Sequence, residues 1–545
     1  MHLPRLLALP ALAAALAASA ASFPIPHLQK QGTATQLIVD GQPFLFRGGE
    51  LGNSSGEPAY LRPFWPKLKA LNLNGLVAPV YWDQIEPAEG KLDFATVDQL
   101  IADARAHDFR LVLLWFGSWK NSMSCYAPAW IKRDAHRFPR SQDSAGRPLE
   151  ILSPFSAVNR DTDARTFAAL LRHLREIDGD QHTVVTVQVE NEIGMIPEAR
   201  DRRPEAEKQF AGPVPAELID YLVQHNDTLA PELHALWHGA GAKRRGTWTE
   251  VFGPTVATDE VFMAWHFARY TEAVAAAGKQ AYPLPMYVNA ALIRPGHLPG
   301  QYPSAGPLPQ VADVWHAGAP SLDFLSPDIY FQDFINWARR YTRNGNPLFI
   351  PEVTRAPEAS VRALYAFGAL DAIAFCPFGI ESISDNAVRP LSDSFDLIRQ
   401  LTPLILQHQG TGTMGGMLPE GPEQRQPQQL WLGGYVIQVA FERTNDVAIG
   451  DGVSVSQGAN ALSGGLIIAT GPDEFIVAGT AITATFSQRA TTGPVVGLES
   501  VEEGRFVDGQ WQHLRWLNGD ETNQGRFVRI APGQFGIQRV RLYKY

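Results

Sequence analysis

The sequence predicts an α/β protein in which eight parallel strands alternate with helices and close into a barrel, followed by a smaller antiparallel β-sandwich. Short aliphatic and β-branched runs alternate with segments that have apolar residues three or four positions apart, up to about residue 405. Most of these runs end in a carboxylate, amide or aromatic residue. After residue 405 the helical spacing stops, and short alternating runs separated by glycine-containing turns follow.

Residues 1–20 are predicted to be a signal peptide and not part of the fold. Arg5 supplies a positive charge, the apolar stretch Leu6 to Ala18 is too short to span a bilayer, and Ala18-Ser19-Ala20 fits a cleavage site. No later segment has an apolar run of membrane-spanning length. We therefore expect an exported bacterial protein, periplasmic or secreted, whose mature chain has no membrane span.

The predicted barrel occupies residues 21–405. A hairpin in LIVDGQPFLF, turning at Asp40-Gly41, leads into a first strand that ends at Glu50. The other seven strands are predicted in GLVAPVYW, RLVLLWFG, VVTVQVEN, LPMYVNA, FLSPDIY, PLFIPEVT and AIAFCPFGI. Helix-like segments such as SVRALYAFGAL separate them. Eight strands, each leading into a helix, are typical of a TIM (β/α)8 barrel.

Composition changes after the barrel. Residues 406–429 include GTGTMGGMLPEGPEQRQPQQ, which is rich in Gly, Pro and Gln and predicts a linker or exposed connection. Residues 430–545 contain alternating runs such as WLGGYVIQVAFE, EFIVAGTAITATF and QRVRLYKY, with a turn signal at Asp508-Gly509. This pattern predicts the antiparallel β-sandwich domain.

Charge and cysteine content narrow the function. With 46 Lys and Arg against 56 Asp and Glu, the net charge is −10, and no basic block is present, so nucleic acid is not an expected partner. Cys125 and Cys376 are the only cysteines, which excludes a disulfide framework and a Cys-rich zinc site and leaves their own pairing open. We expect no metal or cofactor and an uncharged or small substrate. The oligomeric state is not predicted.

Two glutamates stand at the ends of predicted barrel strands. Glu192 follows the fourth strand and Glu352 ends the seventh. In a TIM barrel the carboxyl ends of the strands form the floor of the active site, so these side chains can face each other across the ring. Two carboxyls that flank one bond, one as acid and one as nucleophile or base, are what glycoside hydrolysis requires. The alternative is a pair of exposed or salt-bridged glutamates of the kind found in any α/β protein.

Other strand-end residues are candidates for substrate contacts. These candidates are Asn191, Tyr330, Glu50, Asn289, Asn121 and Trp82. Asn191 is expected to bond the sugar 2-hydroxyl, and Tyr330 either orients Glu352 or belongs to the core. Trp82 offers a flat ring for stacking on a sugar face, and the remaining three offer hydrogen bonds to hydroxyls. Glu190 is interpreted as an inward support held in a salt bridge.

An Asn-Glu pair on strand four with a Glu on strand seven resembles the large clan of retaining TIM-barrel glycosidases. The resemblance implies that Glu192 is the acid/base and Glu352 the nucleophile, with carboxyls about 5–5.5 Å apart. Glu192 must then be protonated near neutral pH, and the negative charge of Glu352 helps to hold that proton.

The segments QVENEIG, LIVDGQPFLFRGGE and FIPEVTR resemble glycoside hydrolase family 35, the β-galactosidases, in particular the secreted bacterial branch with a C-terminal β domain. This resemblance implies exo-acting, retaining release of terminal β-D-galactose. It also implies oligosaccharide substrates of plant type, such as galactosylated xyloglucan fragments.

Two alternatives stay open. Another retaining glycosidase of the same clan, either an endo-β-glycanase or a different exo-glycosidase, would share the acid pair. A non-catalytic carbohydrate-binding protein would use the carboxylates only to grip hydroxyls. A serine hydrolase is disfavoured, because the G-x-S-x-G match at residues 52–56 follows the first barrel strand, before the sheet that its nucleophile would need.

Overall fold

The computed structural model describes residues 23–419, 425–442, 447–449, 453–455, 461–488 and 493–545. The predicted signal peptide, residues 1–20, lies outside the described residues. Among the described residues, no helix combines the length and apolar content that a bilayer crossing requires.

The chain alternates strands and helices up to residue 408 and is almost entirely β after it. The strands are β1 (His27–Gln31), β2 (Ala34–Val39), β3 (Gln42–Phe44), β4 (Phe46–Glu50), β5 (Gly75–Tyr81), β6 (Arg110–Lys120), β7 (Arg140–Gln142), β8 (Pro148–Leu152), β9 (Val184–Asn191), β10 (Met286–Ala290), β11 (Phe324–Ile329), β12 (Phe349–Val353), β13 (Ala374–Pro377), β14 (Met414–Met417), β15 (Gln428–Leu432), β16 (Tyr435–Phe441), β17 (Val447–Ile449), β18 (Val453–Val455), β19 (Gly464–Ala469), β20 (Glu474–Thr480), β21 (Ile482–Gln488), β22 (Val496–Val507), β23 (Gln510–Trp516), β24 (Val528–Ile530) and β25 (Gly536–Lys544). The helices are α1 (Pro58–Leu61), α2 (Trp65–Ala70), α3 (Trp82–Ile85), α4 (Ala95–Ala106), α5 (Ala129–Lys132), α6 (Ala157–Asp178), α7 (Pro204–Phe210), α8 (Ala216–Gln224), α9 (Pro231–Gly239), α10 (Trp248–Phe252), α11 (Val256–Ala281), α12 (Ala312–Gly318), α13 (Phe334–Arg340), α14 (Ala359–Ala369) and α15 (Asp385–His408).

Eight parallel strands close into a barrel in the order β4-β5-β6-β9-β10-β11-β12-β13, with β13 pairing back to β4. These are the eight predicted strands, so the predicted TIM barrel is confirmed. Apolar and aromatic side chains fill its interior, where the Tyr287 and Phe324 rings stack with centroids 5.0 Å apart. Cys376 is buried in this interior while Cys125 is exposed, and both cysteines are free.

The predicted hairpin forms the link between β2 and β3. Val39 pairs with Gln42, and the two turn residues Asp40 and Gly41 have φ angles of 52° and 71°. Positive φ at both central positions is the geometry that an Asp-Gly hairpin turn favours. Asp40 also accepts a hydrogen bond from Arg110 at 2.5 Å, which ties the turn to the start of β6.

The C-terminal strands form two antiparallel sheets. A six-stranded sheet has the order β14-β19-β20-β25-β22-β23, and a four-stranded sheet has the order β15-β16-β21-β24. Apolar residues such as Ile437, Ile467, Phe475 and Val540 pack between them. Val507 pairs with Gln510 across the predicted Asp-Gly turn at residues 508–509. The predicted β-sandwich is therefore confirmed.

The predicted connection over residues 406–429 is only partly correct. Helix α15 continues to His408, and Met414–Met417 forms β14 at the edge of the six-stranded sheet. The glycines that made this segment resemble a linker instead let β14 approach helix α14 closely. A Cβ atom at Gly416 would lie 3.0 Å from the Ala369 side chain. Glycine here reflects close packing, which composition alone does not distinguish from flexibility.

The six-stranded sheet packs on the barrel through helices α14 and α15. Leu466 and Ile476 of the sheet belong to the same apolar cluster as the barrel helices. The backbone N–H of Phe506 in β22 donates to the Gln400 side chain of α15 at 3.1 Å. The two domains are therefore joined by a shared apolar core and not by a flexible tether.

Candidate active site

Four carboxyl groups converge at the carboxyl ends of the barrel strands. Glu50 ends β4, Glu192 follows β9, Asp328 lies in β11 and Glu352 lies in β12. Their exposed fractions are 0%, 5%, 1% and 3%, respectively. Carboxylate oxygens of Glu192, Asp328 and Glu352 all lie within 4.8 Å of one another. The barrel thus brings the two sequence-predicted glutamates into one buried site.

The separation of Glu192 and Glu352 bears on the reaction that they can perform. Carboxyls about 5–5.5 Å apart suit double displacement, whereas about 6.5–9.5 Å is needed to place a water molecule for inversion. An oxygen pair within 4.8 Å corresponds to the shorter class. The arrangement therefore suits a retaining mechanism.

The end of β9 has an unusual backbone that aims these side chains. Glu190 and Glu192 have φ angles of 63° and 46°, a left-handed conformation that non-glycine residues rarely adopt and that concentrates at functional sites. The N–H of Glu192 donates to Asn289 Oδ1 at 2.8 Å, and its carbonyl accepts from the N–H of Ser122 at 3.0 Å. Contacts from the ends of β6 and β10 therefore hold the turn.

Glu192 is surrounded by groups that keep it protonated near neutral pH. Burial, followed by the charge of Glu352, raises its pKa from 4.5 to about 7. The charge of Lys120 and hydrogen bonds from Asp328 and Asn121 act in the opposite direction. The amide of Asn121 donates directly to Glu192 Oε2. A carboxyl with this pKa can give up a proton in one step and take one back in the next.

Glu352 is held as an oriented carboxylate. The Tyr330 hydroxyl donates to its Oε2 at 2.5 Å, and the amides of Asn191 and Asn289 approach its Oε1 at 3.4 and 3.5 Å. Tyr330 is 38% exposed, so it lies at the opening of the site and not in the core. Of the two roles predicted for Tyr330, the geometry favours orienting Glu352.

Asn289 and Glu50 also lie in the site, with roles that differ from hydroxyl binding. Both ends of the Asn289 amide are engaged, because its Nδ2 donates to Asp328 Oδ2 at 2.7 Å and its Oδ1 accepts from Glu192. Neither oxygen of Glu50 accepts from a donor group among the described residues. Burial and the charge of Glu352 raise the pKa of Glu50 well above its ordinary value, which places Glu50 among the interacting carboxyls of the site.

Trp82 does not lie in the site, so its predicted contact with sugar is wrong. It begins helix α3, is 0% exposed, and packs with its ring centroid 6.2 Å from that of Trp115. Its indole N–H donates to Glu86 at 3.4 Å. Tyr81 faces the barrel interior and Trp82 faces the helix layer, because consecutive residues at a strand end point to opposite sides.

Glu190 supports the site from below, as predicted, but its partner is not a cation. Its Oε2 accepts from the N–H of Trp119 at 2.7 Å, and its carboxyl pairs with that of Asp163. Burial and the neighbouring Asp163 raise the pKa of Glu190 well above its ordinary value. The predicted salt bridge is replaced by a carboxyl pair.

Two site residues were not among the sequence candidates. Lys120 ends β6 and is buried, with its ammonium 2.8 Å from Asn191 Oδ1 and 5.2 Å from the centre of the Phe116 ring. Asp328 stands beside Glu352 in the paired strands β11 and β12. In the sequence, both residues could have been found by the same pattern, which is a charged residue near the end of an apolar strand.

Comparison with known proteins gives two family matches. A family described as Beta-galactosidase, glycoside hydrolase family 42, matches residues 67–277, and a domain of unknown function, DUF5597, matches residues 391–529. A β-galactosidase from Xanthomonas manihotis is 29% identical over 192 residues, which is 34% of this chain and 29% of that protein. Residues 67–277 are therefore similar to the domain of a family described as Beta-galactosidase. The resemblance to family 35 is not supported, since the matching family is family 42.

The chain is also similar to solved structures at low sequence identity. The family 42 β-galactosidase Gan42B has 11% identity and a TM-score of 0.51, covering 94% of this chain and 100% of that one. A β-galactosidase from Rahnella sp. R3 has 16% identity and a TM-score of 0.44, covering 66% of this chain and 57% of that one. The chain thus spans less than two thirds of the length of the Rahnella and Xanthomonas proteins.

Proposed function

We propose that this chain is a retaining exo-glycosidase that releases terminal β-D-galactose from oligosaccharides by double displacement. The observation that carries the proposal is the pair Glu192 and Glu352, with oxygens within 4.8 Å and unlike surroundings. One carboxyl is placed to hold a proton, and the other is placed among hydrogen-bond donors. The match of residues 67–277 to a family described as Beta-galactosidase supports galactose as the sugar.

In the first half of the reaction, Glu352 attacks the anomeric carbon and forms a glycosyl ester. Glu192 donates its proton to the glycosidic oxygen, so the bond to the leaving group breaks and a neutral alcohol departs. Tyr330 holds the Oε2 atom of Glu352, which leaves Oε1 as the attacking oxygen once the amides of Asn191 and Asn289 release it. Asn191 is then free to bond the sugar 2-hydroxyl.

In the second half, the ester has removed the negative charge of Glu352. Because that charge helps to raise the pKa of Glu192, the pKa falls and Glu192 becomes a base. It accepts a proton from water, and the resulting hydroxide equivalent attacks the anomeric carbon from the face that the leaving group occupied. Galactose is released with its β configuration, Glu352 is restored as a carboxylate, and Glu192 is again protonated.

The proposal extends to the substrate and to the location of the enzyme. Galactosylated xyloglucan fragments, which end in galactose, are the plant-type substrates that we propose for this exo-acting site. The leader-like residues 1–20 support export to the periplasm or the medium. Glu50, Asn121 and Asn289 affect the reaction mainly by contacting or charging the environment of Glu192 and Glu352, and less by binding the substrate directly.

A panel of nitrophenyl glycosides tests the sugar specificity. We expect turnover of the β-galactoside in preference to the β-glucoside, α-galactoside and β-xyloside, and proton NMR of the first product should show β-galactose. Cleavage of internal glucan bonds without turnover of the β-galactoside would instead identify an endo-β-glycanase. First release of α-galactose would overturn the retaining mechanism.

Two isosteric substitutions test the catalytic assignment. Glu352→Gln should abolish turnover, and Glu192→Gln should lower kcat by about 10²–10⁴-fold, least for substrates whose leaving group needs no proton. Glu358→Gln, on an exposed glutamate beside α14, is the matched control and should keep wild-type rates. Retained galactose binding by the inactive variants would also separate catalysis from simple carbohydrate binding.

A further inference from the structure

Asp328 is a carboxyl at the reacting centre for which a two-glutamate mechanism has no role. It lies in β11, directly beside Glu352 in the register of β11 and β12, and is 1% exposed. One of its oxygens is within 4.8 Å of both Glu192 and Glu352. A third acid therefore lies close to both the acid/base and the nucleophile.

The hydrogen bonds of Asp328 connect it to Glu192 from two directions. Its Oδ2 accepts from the Asn289 amide at 2.7 Å, and the same amide accepts from the Glu192 N–H at 2.8 Å. The two carboxyls are also close enough to share one hydrogen bond through a proton. Among the described residues, no donor reaches Asp328 Oδ1. Because Oδ2 already accepts a hydrogen bond from Asn289, a proton on Asp328 would be carried by Oδ1.

The charges around Asp328 oppose its ionisation. Titratable groups that face it are the carboxyls of Glu352, Glu192 and Glu50 and the hydroxyls of Tyr287, Tyr330 and Tyr341. Lys120 bonds to Asn191, and among the described residues no cation forms a salt bridge with Asp328. Burial and the two neighbouring glutamates raise the pKa of Asp328 well above its ordinary value. A neutral acid is the form that this environment favours.

We propose that Asp328 is a positioning residue that remains protonated throughout the catalytic cycle and donates its O–H to the Glu192 carboxylate whenever Glu192 has given up its own proton. The inference rests on the proposed function and deepens it. The Asp328 proton is not transferred, so the proton balance of the two half-reactions is unchanged. The bond stabilises the Glu192 anion and holds it in place to accept the proton of the incoming water.

Two substitutions distinguish a protonated Asp328 that donates a hydrogen bond from an ionised Asp328. In Asp328→Asn, the amide oxygen can still accept from Asn289 and the NH₂ can donate to Glu192, so we expect kcat/KM within about threefold of wild type and an unchanged alkaline limb of its pH profile. Asp328→Leu removes the donor. We expect kcat to fall by about 10–100-fold and the alkaline limb to move to higher pH, because the Glu192 anion loses a stabilising bond.

If Asp328 were ionised, its replacement by Asn would remove a negative charge beside Glu192. The alkaline limb would then move to lower pH, and Asp328→Asn would be as damaging as Asp328→Leu. Either result would overturn the proposal. Circular dichroism and melting temperatures of both variants confirm that they are folded before the rates are compared.

A measurement without substrate keeps the inference separate from the proposed function. In protein labelled with [4-¹³C]aspartate, the Asp328 carbon, identified by its absence from Asp328→Asn, should give the shift of a protonated carboxyl at pH 7. A signal at the ionised position would overturn the inference even if the enzyme cleaves β-galactosides, and a protonated signal would support it even if no glycoside is cleaved. If Asp328→Asn does not fold, Asp163→Asn identifies the carbon signal of Asp163, the other buried aspartate near the site. A wild-type spectrum that shows no protonated aspartate besides Asp163 would then overturn the inference.

Discussion

Glu192 and Glu352 have the same side chain, and their surroundings give them different chemistry. Glu352 accepts from the Tyr330 hydroxyl and lies near two amide donors, which fix the orientation of its carboxyl group. Glu192 is buried beside other carboxyls, and its pKa is raised to about 7. At the scale of single residues, the site is therefore a pair of like side chains with different hydrogen-bond donors, Tyr330 for Glu352 and Asn121 for Glu192.

Removing the Tyr330 hydroxyl tests how Glu352 is oriented. Tyr330→Phe should lower kcat by about 10–100-fold with a smaller change in KM, because a hydrogen bond to a charged group is lost while the ring remains. Steady-state kinetics on a β-galactoside give both constants. Tyr282→Phe is the matched control, since the buried Tyr282 hydroxyl has no hydrogen-bond partner among the described residues and its charged neighbours, Asp178 and Asp180, lie outside the site. Equal losses in both variants would contradict a specific role for Tyr330.

The position of Trp82 leads to the opposite expectation. Trp82→Phe should reduce stability by about 1–3 kcal/mol, since it leaves a gap beside Trp115 and frees the Glu86 carboxylate from the indole N–H. KM should stay within about twofold of wild type because the ring does not line the site. Urea unfolding followed by fluorescence, together with steady-state kinetics, checks both statements. A large rise in KM with unchanged stability would restore Trp82 as a sugar contact.

At the scale of elements, glycines decide how closely the β-sandwich meets the barrel. Helix α14 places Gly368 against β19, where an added Cβ would lie 2.6 Å from the Leu466 Cβ and 3.3 Å from the Gly416 Cα. Such a distance cannot be accommodated without a shift of the helix or the sheet. Small residues on both sides of this contact therefore set the spacing between the two domains.

Gly368→Val should destabilise the protein by about 1–3 kcal/mol, because its side chain overpacks the contact between α14 and β19. The loss should appear as a lower urea midpoint and faster limited proteolysis between the barrel and the sandwich. Gly239→Ala in α9 is the control, since a Cβ there meets nothing within 4 Å and alanine favours the helix. If Gly368→Val is as stable as wild type, the contact is not tightly packed in solution.

At the scale of the whole molecule, the buried carboxyls of the site make the free energy of unfolding depend on pH. Several buried carboxyls have pKa values above their ordinary range, and that of Glu192 is raised from 4.5 to about 7. The folded state binds the Glu192 proton more tightly than the unfolded state does. Its stabilising contribution is therefore complete below about pH 4.5 and is lost as the pH rises through about 7.

The size of this effect can be measured by difference. Between pH 5 and pH 8, wild type should lose about 2–3 kcal/mol of unfolding free energy relative to Glu192→Gln, which has no proton to release. His266, whose pKa is lowered to about 3 by burial, changes stability in the opposite direction, but it does so in both proteins and cancels. Urea unfolding at the two pH values gives the comparison. Parallel pH dependence in the two proteins would show that Glu192 titrates normally.

The sequence by itself determined the barrel and the sandwich, and it placed Glu192 and Glu352 at the ends of their strands. These features depend on local periodicity and on the rule that parallel strands end at one face of a barrel. It also indicated Tyr330 and Asn191, because residues that terminate strands four and six are brought to that same face.

Only the tertiary structure decided which strand-end side chains turn inward and what they meet there. Trp82 lies in the helix layer, Asp328 stands between the two glutamates, and Lys120 bonds to Asn191. The glycines of β14 proved to be packed against α14. The physical reason is that side-chain direction and burial are set by register, twist and the approach of distant segments, none of which is written in the spacing of residues along the chain.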